Sequence, residues 1–208
     1  MSRLGDAQCR EFRAEEWEVR DAPLREGRAL VIAHHYSKGG SNTAVYVHGL
    51  YNKHDGELYG VAWWLPPTRV ACESVNKEKW KQVLSLTRLV ILPEVPPNAA
   101  TFLMGRSIRL IRKDGRFVSL VTYADESQGH AGTIYKASNW TYVGRTGPYP
   151  RYVDSEGRQV ARKATISRTG AQMKALGHTR TGSYFKHKFV IHLEPTRNPA
   201  KKTEGDPS

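Results

Sequence analysis

The stretch from residue 84 to residue 143 constrains the fold most, because it alternates between strand-like and helix-like patterns. Residues 84–92 form a short apolar run typical of a buried strand, and the prolines at 93, 96 and 97 end it. A helix is predicted from Asn98 as N-cap to Asp114 and Gly115, since apolar residues recur there every three or four positions. Residues 117–123 are rich in β-formers, 132–139 favour a second helix, and 140–143 another strand. This order predicts an α/β sheet with helices on its faces.

The flanking segments add strands and a basic insertion. Residues 29–33 favour a buried strand followed by a polar loop, and residues 43–50 and 57–64 a hairpin that turns at Asp55 and Gly56. A short helix is predicted around residues 77–83 and a last strand at 184–193. Residues 145–180 are interpreted as an irregular basic insertion, with a hairpin near 154–157. Residues 1–193 are therefore expected to form one domain, followed by a disordered tail at 194–208.

The charge points to an anionic partner. The 208 residues carry 32 Lys and Arg against 20 Asp and Glu, a net charge of +12. A field of this sign attracts phosphates of DNA, RNA or a nucleotide, and composition alone does not choose among them. The chain has no apolar run of the roughly 18–20 residues that cross a bilayer and no signal-peptide core, so a cytoplasmic protein is expected. Cys9 and Cys72 suggest neither a disulfide nor a thiolate metal site.

Six basic residues are candidates for contacts with nucleic-acid phosphates. Two lie on the predicted helix that follows Asn98, where a solvated basic face is the simpler interpretation, and four lie in the basic insertion. The six are Arg106, Arg109, Arg145, Arg151, Arg162 and Lys163.

Two polar segments could carry chemistry. His35, Tyr36, Ser37 and Lys38 combine an imidazole, a phenol, a hydroxyl and an amine in a loop flanked by glycines. In the second, Asp125 ends a predicted strand and is followed by Gln128 and His130. A carboxylate there suits a general base, and a helix N-cap is an equal alternative.

Arg88 is unusual because it interrupts an apolar strand. A buried arginine requires a carboxylate or a phosphate, and Asp125 is the candidate partner. No histidines show a recognised zinc spacing, so a metal held by His35, His48 and Asp125 is the lesser alternative. Tyr135, inside the second predicted helix, is read as either a core aromatic or a catalyst.

Three blocks resemble one known family. They are His35-Tyr36-Ser37-Lys38, then Leu86-Thr87-Arg88-Leu89-Val90, and above all residues 119–140, which run from Ser119 through Tyr123 and Asp125 to Tyr135 and Trp140. In these blocks the chain resembles the Mom DNA-modification proteins of phage Mu and related phages, over about residues 29–193.

The resemblance implies a fold similar to the GNAT acyltransferases, with a mixed twisted sheet flanked by helices. It implies conversion of adenine N6 in duplex DNA to a carbamoylmethyl derivative, which shields phage DNA from restriction enzymes. The functional residues of the family fall on His35, Tyr36, Arg88, Asp125 and Tyr135. The neighbouring residues Ser37, Lys38, Ser119, Tyr123, Gln128 and His130 are expected to bind substrate or donor. Tyr36 or Trp140 is expected to stack on the extruded base.

The acyl donor stays open between acetyl-CoA and glycyl-tRNA. GNAT enzymes bind the CoA pyrophosphate in a glycine-rich loop, whereas residues 93–100 here contain three prolines, which lack N–H donors. A glycyl donor would account for the carbamoylmethyl product, so a tRNA is a possible second partner beside DNA. Two alternative functions are a conventional N-acetyltransferase acting on a protein or small amine and a non-catalytic nucleic-acid binder. The sequence does not indicate an oligomeric state.

Overall fold

The computed structural model describes residues 11–36, 41–160 and 162–193, with the side chains of Arg162 and Lys163 outside the description. Seven strands and six helices follow one another along these residues. In chain order they are β1 (Trp17–Asp21), α1 (Leu24–His34), β2 (Tyr46–Asn52), β3 (Leu58–Leu65), α2 (Arg69–Glu73), β4 (Val83–Ile91), α3 (Ala99–Asp114), β5 (Ser119–Asp125), α4 (Thr133–Ala137), β6 (Thr141–Val153), α5 (Arg162–Thr165), α6 (Gly170–Ala175) and β7 (Thr179–His192).

The strands form one mixed sheet in the order β1-β2-β3-β4-β5-β7-β6. Only β4 and β5 run parallel, and α3 is the crossover between them. The hairpin, the strand at 84–92, the helix after Asn98 and the strand–helix–strand order to residue 143 are therefore confirmed, as is the α/β class. No helix in the described residues is long and apolar enough to cross a membrane.

Helices cover both faces of the sheet. On one face α3 packs Leu103, Met104 and Ile111 against Leu84 and Leu120 of the central strands. On the opposite face α1 packs against β2, β3 and β4. We call these the α3 face and the α1 face.

A bulge in β4 explains how an arginine enters an apolar strand. Trp63 pairs with Arg88 and Trp64 pairs with Leu86, so Thr87 is an extra residue on β4. Leu86 packs on the α3 face before the bulge, and Leu89 does so after it. The strand alternation therefore turns Arg88 toward the α1 face.

The two parallel strands separate beyond the middle of the sheet. The register of β4 with β5 runs from Val83 opposite Ser119 to Leu86 opposite Thr122 and stops there. Beyond that point β4 continues along β3, and β5 continues along β7 to Asp125. A wedge therefore opens at the carboxyl ends of two neighbouring parallel strands, where α/β sheets bind ligands.

The strand predicted at residues 29–33 is wrong, because these residues belong to α1. Gly27, Val31 and His35 are buried at intervals of four residues, which is the period of one helix face. Gly27 lets the helix approach the sheet, since a Cβ there would lie 2.6 Å from Cγ1 of Val47.

The prediction of an irregular insertion at residues 145–180 is wrong at both ends of that range. Strand β6 extends to Val153 and β7 begins at Thr179, and the two pair along most of their lengths. The turn expected at 154–157 is present, and Gly157 donates its N–H to the Asp154 carbonyl at 3.0 Å.

Two smaller predictions also need correction. The helix expected at 77–83 is reduced to one 3₁₀ turn at Trp80–Gln82, and α2 was not predicted. Asn98 does precede α3, but its φ of 76° is left-handed and its side chain makes no capping hydrogen bond.

Candidate functional site

A cavity of about 580 Å³ occupies the wedge between β4 and β5. Its walls come from the end of α1 on one face of the sheet and from α3 and α4 on the other. The segments that line it are residues 34–36, 86–91, 123–124 and 129–135, together with Ala100.

The α1 side of the cavity carries a cluster of aromatic and basic groups. His35 is fixed by the last turn of α1, where its N–H donates to the Val31 carbonyl at 2.9 Å. The Tyr36 ring lies over His35 with 4.3 Å between ring centroids, and His130 meets Tyr36 edge-on at 5.7 Å. Tyr36 is 47% exposed, so one aromatic surface remains open at the mouth of the cavity.

Burial sets the protonation of this cluster. Burial, together with the positive charge of Arg88 and with His130, lowers the pKa of His35 to about 4. The imidazole is therefore neutral near pH 7 and can accept a hydrogen bond or a proton. Burial also lowers the pKa of Arg88, but a guanidinium remains charged under these conditions. Arg88 Nη1 donates to the Thr87 carbonyl at 2.6 Å, which helps to fix the guanidinium beside the bulge.

The α3 side of the cavity is formed by Ala100, Ile134 and Tyr135. Burial raises the pKa of Tyr135, and a hydrogen bond with Thr122 partly offsets this effect. Thr122 in turn donates its hydroxyl to the Leu86 carbonyl at 3.1 Å, so Tyr135 is tied to the last registered pair of β4 and β5. A phenol that stays protonated at this position can act as a donor of a hydrogen bond or proton.

Asp125 lies at the end of β5 but does not line the cavity. One carboxylate oxygen accepts from the Ser127 N–H at 3.0 Å and the Ser127 hydroxyl at 2.6 Å, and the other lies 2.9 Å from Lys186 Nζ. Burial raises the pKa of this carboxyl, but the bonds from Ser127 and Lys186 outweigh burial and the pKa is lowered. Asp125 is therefore an N-cap, the alternative to a general base. The predicted ion pair of Asp125 with Arg88 is wrong, because its partner is Lys186.

The other predicted binding residues are distributed unevenly. Tyr123 and His130 line the cavity. Ser119 is fully buried at the closed end of β5 and shares a hydrogen bond with His192 Nδ1 at 2.9 Å. Gln128 lies just outside the cavity, and Ser37 and Lys38 fall outside the described residues. Trp140 is 4% exposed within the core and cannot serve as the open stacking surface.

The predicted phosphate contacts fall in two places. Arg106 and Arg109 are exposed on α3, with Arg106 lying 5.2 Å from the Phe102 ring centroid. Arg145 and Arg151 are exposed on β6, at the far edge of the sheet. Arg162 and Lys163 belong to α5, but their side chains are not described.

No three His, Cys, Asp or Glu side chains in the described ranges are arranged to hold a metal ion. In particular, His48 points into the α3 interface, where its Nδ1 lies 2.6 Å from Ser107 Oγ. The suggested set of His35, His48 and Asp125 therefore does not converge.

Comparison with models of protein families identifies the family of this chain. The model of the Mom protein family matches residues 16–202. The chain belongs to the Mom protein family. The resemblance drawn from the three sequence blocks is thereby confirmed.

A phage relative is similar over part of its length. The methylcarbamoylase Mom of Escherichia phage Mu is 28% identical over 141 residues, which are 64% of this chain and 56% of the phage protein. The match thus spans only about half of that relative.

Solved structures confirm the acyltransferase-like fold of this Mom family member. Spermidine N-acetyltransferase from Vibrio cholerae, solved with CoA and spermine, has a TM-score of 0.53 at 9% identity and covers 87% of this chain and 98% of its own. A GNAT-family acetyltransferase from Streptococcus pneumoniae has a TM-score of 0.51 at 10% identity, with 86% and 100% covered.

Sequence reasoning missed three residues that shape the site. Lys186 neutralises Asp125, Thr87 forms the bulge that turns Arg88, and Thr122 binds Tyr135. A break in the apolar alternation at Thr87 was the one visible signal. The pairing of Asp125 with Lys186 depends on a strand register that local sequence does not encode.

Proposed function

We propose that this protein modifies adenine in duplex DNA, transferring an activated acyl group to N6 and yielding N6-carbamoylmethyladenine, which protects phage DNA from restriction. The observation that carries the proposal is the cavity between β4 and β5, which is lined from both faces of the sheet in a Mom family chain with a GNAT-like fold. A two-sided cavity suits a reaction between two large substrates, since the donor and the base can enter from opposite faces.

The base would enter on the α1 side. Adenine N6 is inside the duplex stack, so the nucleotide must be extruded before it reaches a protein side chain. The open face of Tyr36 offers a stacking surface at the mouth, and His130 borders it. Base–aromatic stacking contributes about 1–3 kcal/mol per base.

Arg88 and His35 would then serve the reacting atoms. As N6 attacks the acyl carbonyl, negative charge develops on the carbonyl oxygen, and the Arg88 guanidinium on this side of the cavity can stabilise it. The N6 proton becomes acidic only once that nitrogen has bonded to carbon, so neutral His35 can accept it late in the step. Asp125, held as a carboxylate by Lys186 and Ser127, has a structural role in this scheme and takes no part in the proton transfer.

The donor would lie on the α3 side. The first-turn amides of α3 at Ala99, Ala100 and Thr101 have no intrahelical acceptor and favour an anion there. Pro96 and Pro97 have no backbone N–H groups, so this segment does not form a glycine-rich pyrophosphate loop. The free amides of α3 still suit an anionic carrier of the acyl group. Tyr135 lines this side of the cavity and would protonate the leaving group.

Product chemistry favours a glycyl donor. Transfer of glycine to N6 forms an N6–carbonyl bond and releases the carrier's oxygen or sulfur, which takes a proton. The free glycyl amine then attacks C6 of the ring, and breaking the original C6–N6 bond leaves the glycyl nitrogen on C6. The former N6 becomes the terminal carboxamide nitrogen. All atoms are accounted for without an oxidant or reductant, whereas a simple acetyl group cannot give this product.

Mass spectrometry of nucleosides tests the function and the donor together. DNA from cells expressing the protein is digested and searched for deoxyadenosine carrying a carbamoylmethyl group. With nitrogen-15 glycine supplied during expression, the modified nucleoside should carry one more label than unmodified deoxyadenosine from the same digest, and that additional label should remain on the purine after fragmentation removes the carboxamide. An N6-acetyl product would instead indicate acetyl-CoA, and an unmodified profile from soluble protein would exclude the proposed reaction.

A further inference from the structure

The hairpin of β6 and β7 extends well beyond the rest of the sheet. Strand β5 pairs with β7 only from Lys186 to His192. Closer to the turn, Tyr149–Val153 of β6 pair with Thr179–Tyr184 of β7, forming a ribbon beside which no third strand lies among the described residues. We call the described residues 149–160 and 162–184, which include α5 and α6 at the end of the ribbon, the arm.

The arm has packing of its own that makes it a defined shape. Tyr152, Thr165 and Met173 are buried. Thr169 and Gln172 form a reciprocal capping box at the start of α6. The arm is thus an extension with buried residues and a capped helix of its own.

The charge of the arm is strongly positive and largely uncompensated. Its two acids, Asp154 and Glu156, both pair with Arg158, at 2.9 Å and 2.8 Å. Within the described part of the chain, four exposed cations of the arm form no ion pair with a carboxylate: Arg151, Arg168, Lys174 and Arg180.

The arm is attached next to the mouth of the cavity. The Gln159 side-chain amide accepts a hydrogen bond from Gln128 at 3.2 Å and donates one to Ser127 at 3.4 Å. Ser127 and Gln128 directly precede Gly129, where the cavity wall begins. At the base of the arm, Tyr184 lies close enough to Tyr36 to influence its pKa. A polymer bound along the arm would therefore pass the open face of Tyr36.

We propose that the arm is a phosphate-binding clamp that holds duplex DNA on the α1 side, beside the nucleotide to be extruded. The proposal rests on the proposed function for the identity of the nucleic acid. A two-stranded ribbon fits the major groove of B-form DNA, and guanidinium groups pair well with backbone phosphates. The exposed arginines of α3 lie on the opposite face, where Arg106 packs over Phe102.

Duplex affinity measured over a range of salt concentrations tests the clamp. The test variant is Arg151→Ala/Arg180→Ala, the matched control is Arg106→Ala/Arg109→Ala on α3, and Arg151→Lys/Arg180→Lys retains the charge. The probe is a fluorescent duplex of random sequence, followed by anisotropy, with an unlabelled tRNA measured alongside.

Loss of two phosphate contacts should reduce the slope of log affinity against log salt by about 2, and weaken binding to all sequences alike. The α3 control and the lysine variant should keep the parental slope. Parental binding by the arm variant, an equal loss in the α3 control, or a loss confined to tRNA would each overturn the clamp. Arm-dependent duplex binding without any modified nucleoside would instead sustain the clamp and defeat the proposed reaction.

Discussion

Two buried histidines, His35 at the end of α1 and His48 on β2, both have a lowered pKa but lie in different surroundings. Burial lowers the pKa of both His35 and His48. His48 is enclosed between β2 and α3, with Nδ1 2.6 Å from Ser107 Oγ and Nε2 3.5 Å from Asp21. His35 faces a cavity of about 580 Å³ beside Arg88.

The difference lies in how the polar atoms are used. The Trp64 indole donates to Ser107 Oγ at 2.7 Å, and the same oxygen shares a second hydrogen bond with His48 Nδ1. The polar side-chain atoms of His48 and Ser107 contact partners within the protein, whereas the groups around His35 border space that a substrate can enter. A lowered histidine pKa therefore indicates only that the side chain is buried. The adjoining cavity is what distinguishes His35 as the candidate functional residue.

The comparison predicts the largest effect at Arg88. Arg88→Ala should reduce adenine modification by a factor of at least about 100, since one lost donor to a developing oxyanion costs roughly 10²–10³ in rate. The folded state should change little, because the side chain borders a cavity. The measurement is the modified fraction of deoxyadenosine per amount of folded protein. Parental activity in this variant would remove Arg88 from the mechanism.

The enclosed cluster should respond in stability instead. Ser107→Ala leaves the Trp64 N–H and His48 Nδ1 without their partner, and each buried unsatisfied group costs about 1–3 kcal/mol. Urea unfolding should therefore show a loss of about 2–4 kcal/mol, with modification per folded molecule unchanged. Ser155→Ala in the exposed turn is the control and should keep parental stability. A stable but inactive Ser107→Ala protein would instead assign the cluster of His48, Ser107 and Trp64 to the reaction.

Asp125 is an intermediate case, enclosed like His48 yet next to the cavity. Asp125→Asn leaves Lys186 without its anion and should lower the free energy of unfolding by about 2 kcal/mol. Activity should fall in proportion to the folded fraction. Unfolding and modification are measured on the same preparation, and Asp125→Asn/Lys186→Met should regain stability. Complete inactivity of a fully folded Asp125→Asn protein would identify Asp125 as the general base.

The smallest predicted effect is the acid dependence caused by His35. With a folded pKa of about 4 and an unfolded value of 6.5, only the unfolded chain takes up this proton between those values. Stability should therefore fall as pH drops below 6.5. Between pH 7 and pH 5 the parent should lose about 2 kcal/mol more than His35→Gln in urea unfolding. Equal acid dependence in the two proteins would mean that His35 is not held neutral.

Local sequence predicted most of the sheet because its signals are local. Pro66 and Pro67 end β3, Gly115 ends α3 with a φ of 77°, and the apolar period of α3 needs no tertiary information. The candidate residues His35, Tyr36, Arg88 and Tyr135 do line one cavity, as a shared site requires.

The errors arose where tertiary packing decides the outcome. Residues 29–33 are as compatible with a strand as with a helix, and the buried spacing of Gly27, Val31 and His35 was the overlooked signal. Strand β6 contains Gly147, Pro148 and Pro150, which locally favour a loop, yet pairing with β7 forms the strand. The partner of Asp125 follows from the same long-range register.

The most direct test of the central claim fills the cavity without removing any polar group. Ala131 is exposed and lines the cavity, so Ala131→Trp can occupy the mouth at little cost to folding. We expect this variant to unfold at the parental urea concentration, bind duplex DNA through the arm, and leave no detectable carbamoylmethyl deoxyadenosine in cellular DNA. Parental levels of the modified nucleoside from a protein with a filled mouth would place the reaction outside the wedge between β4 and β5.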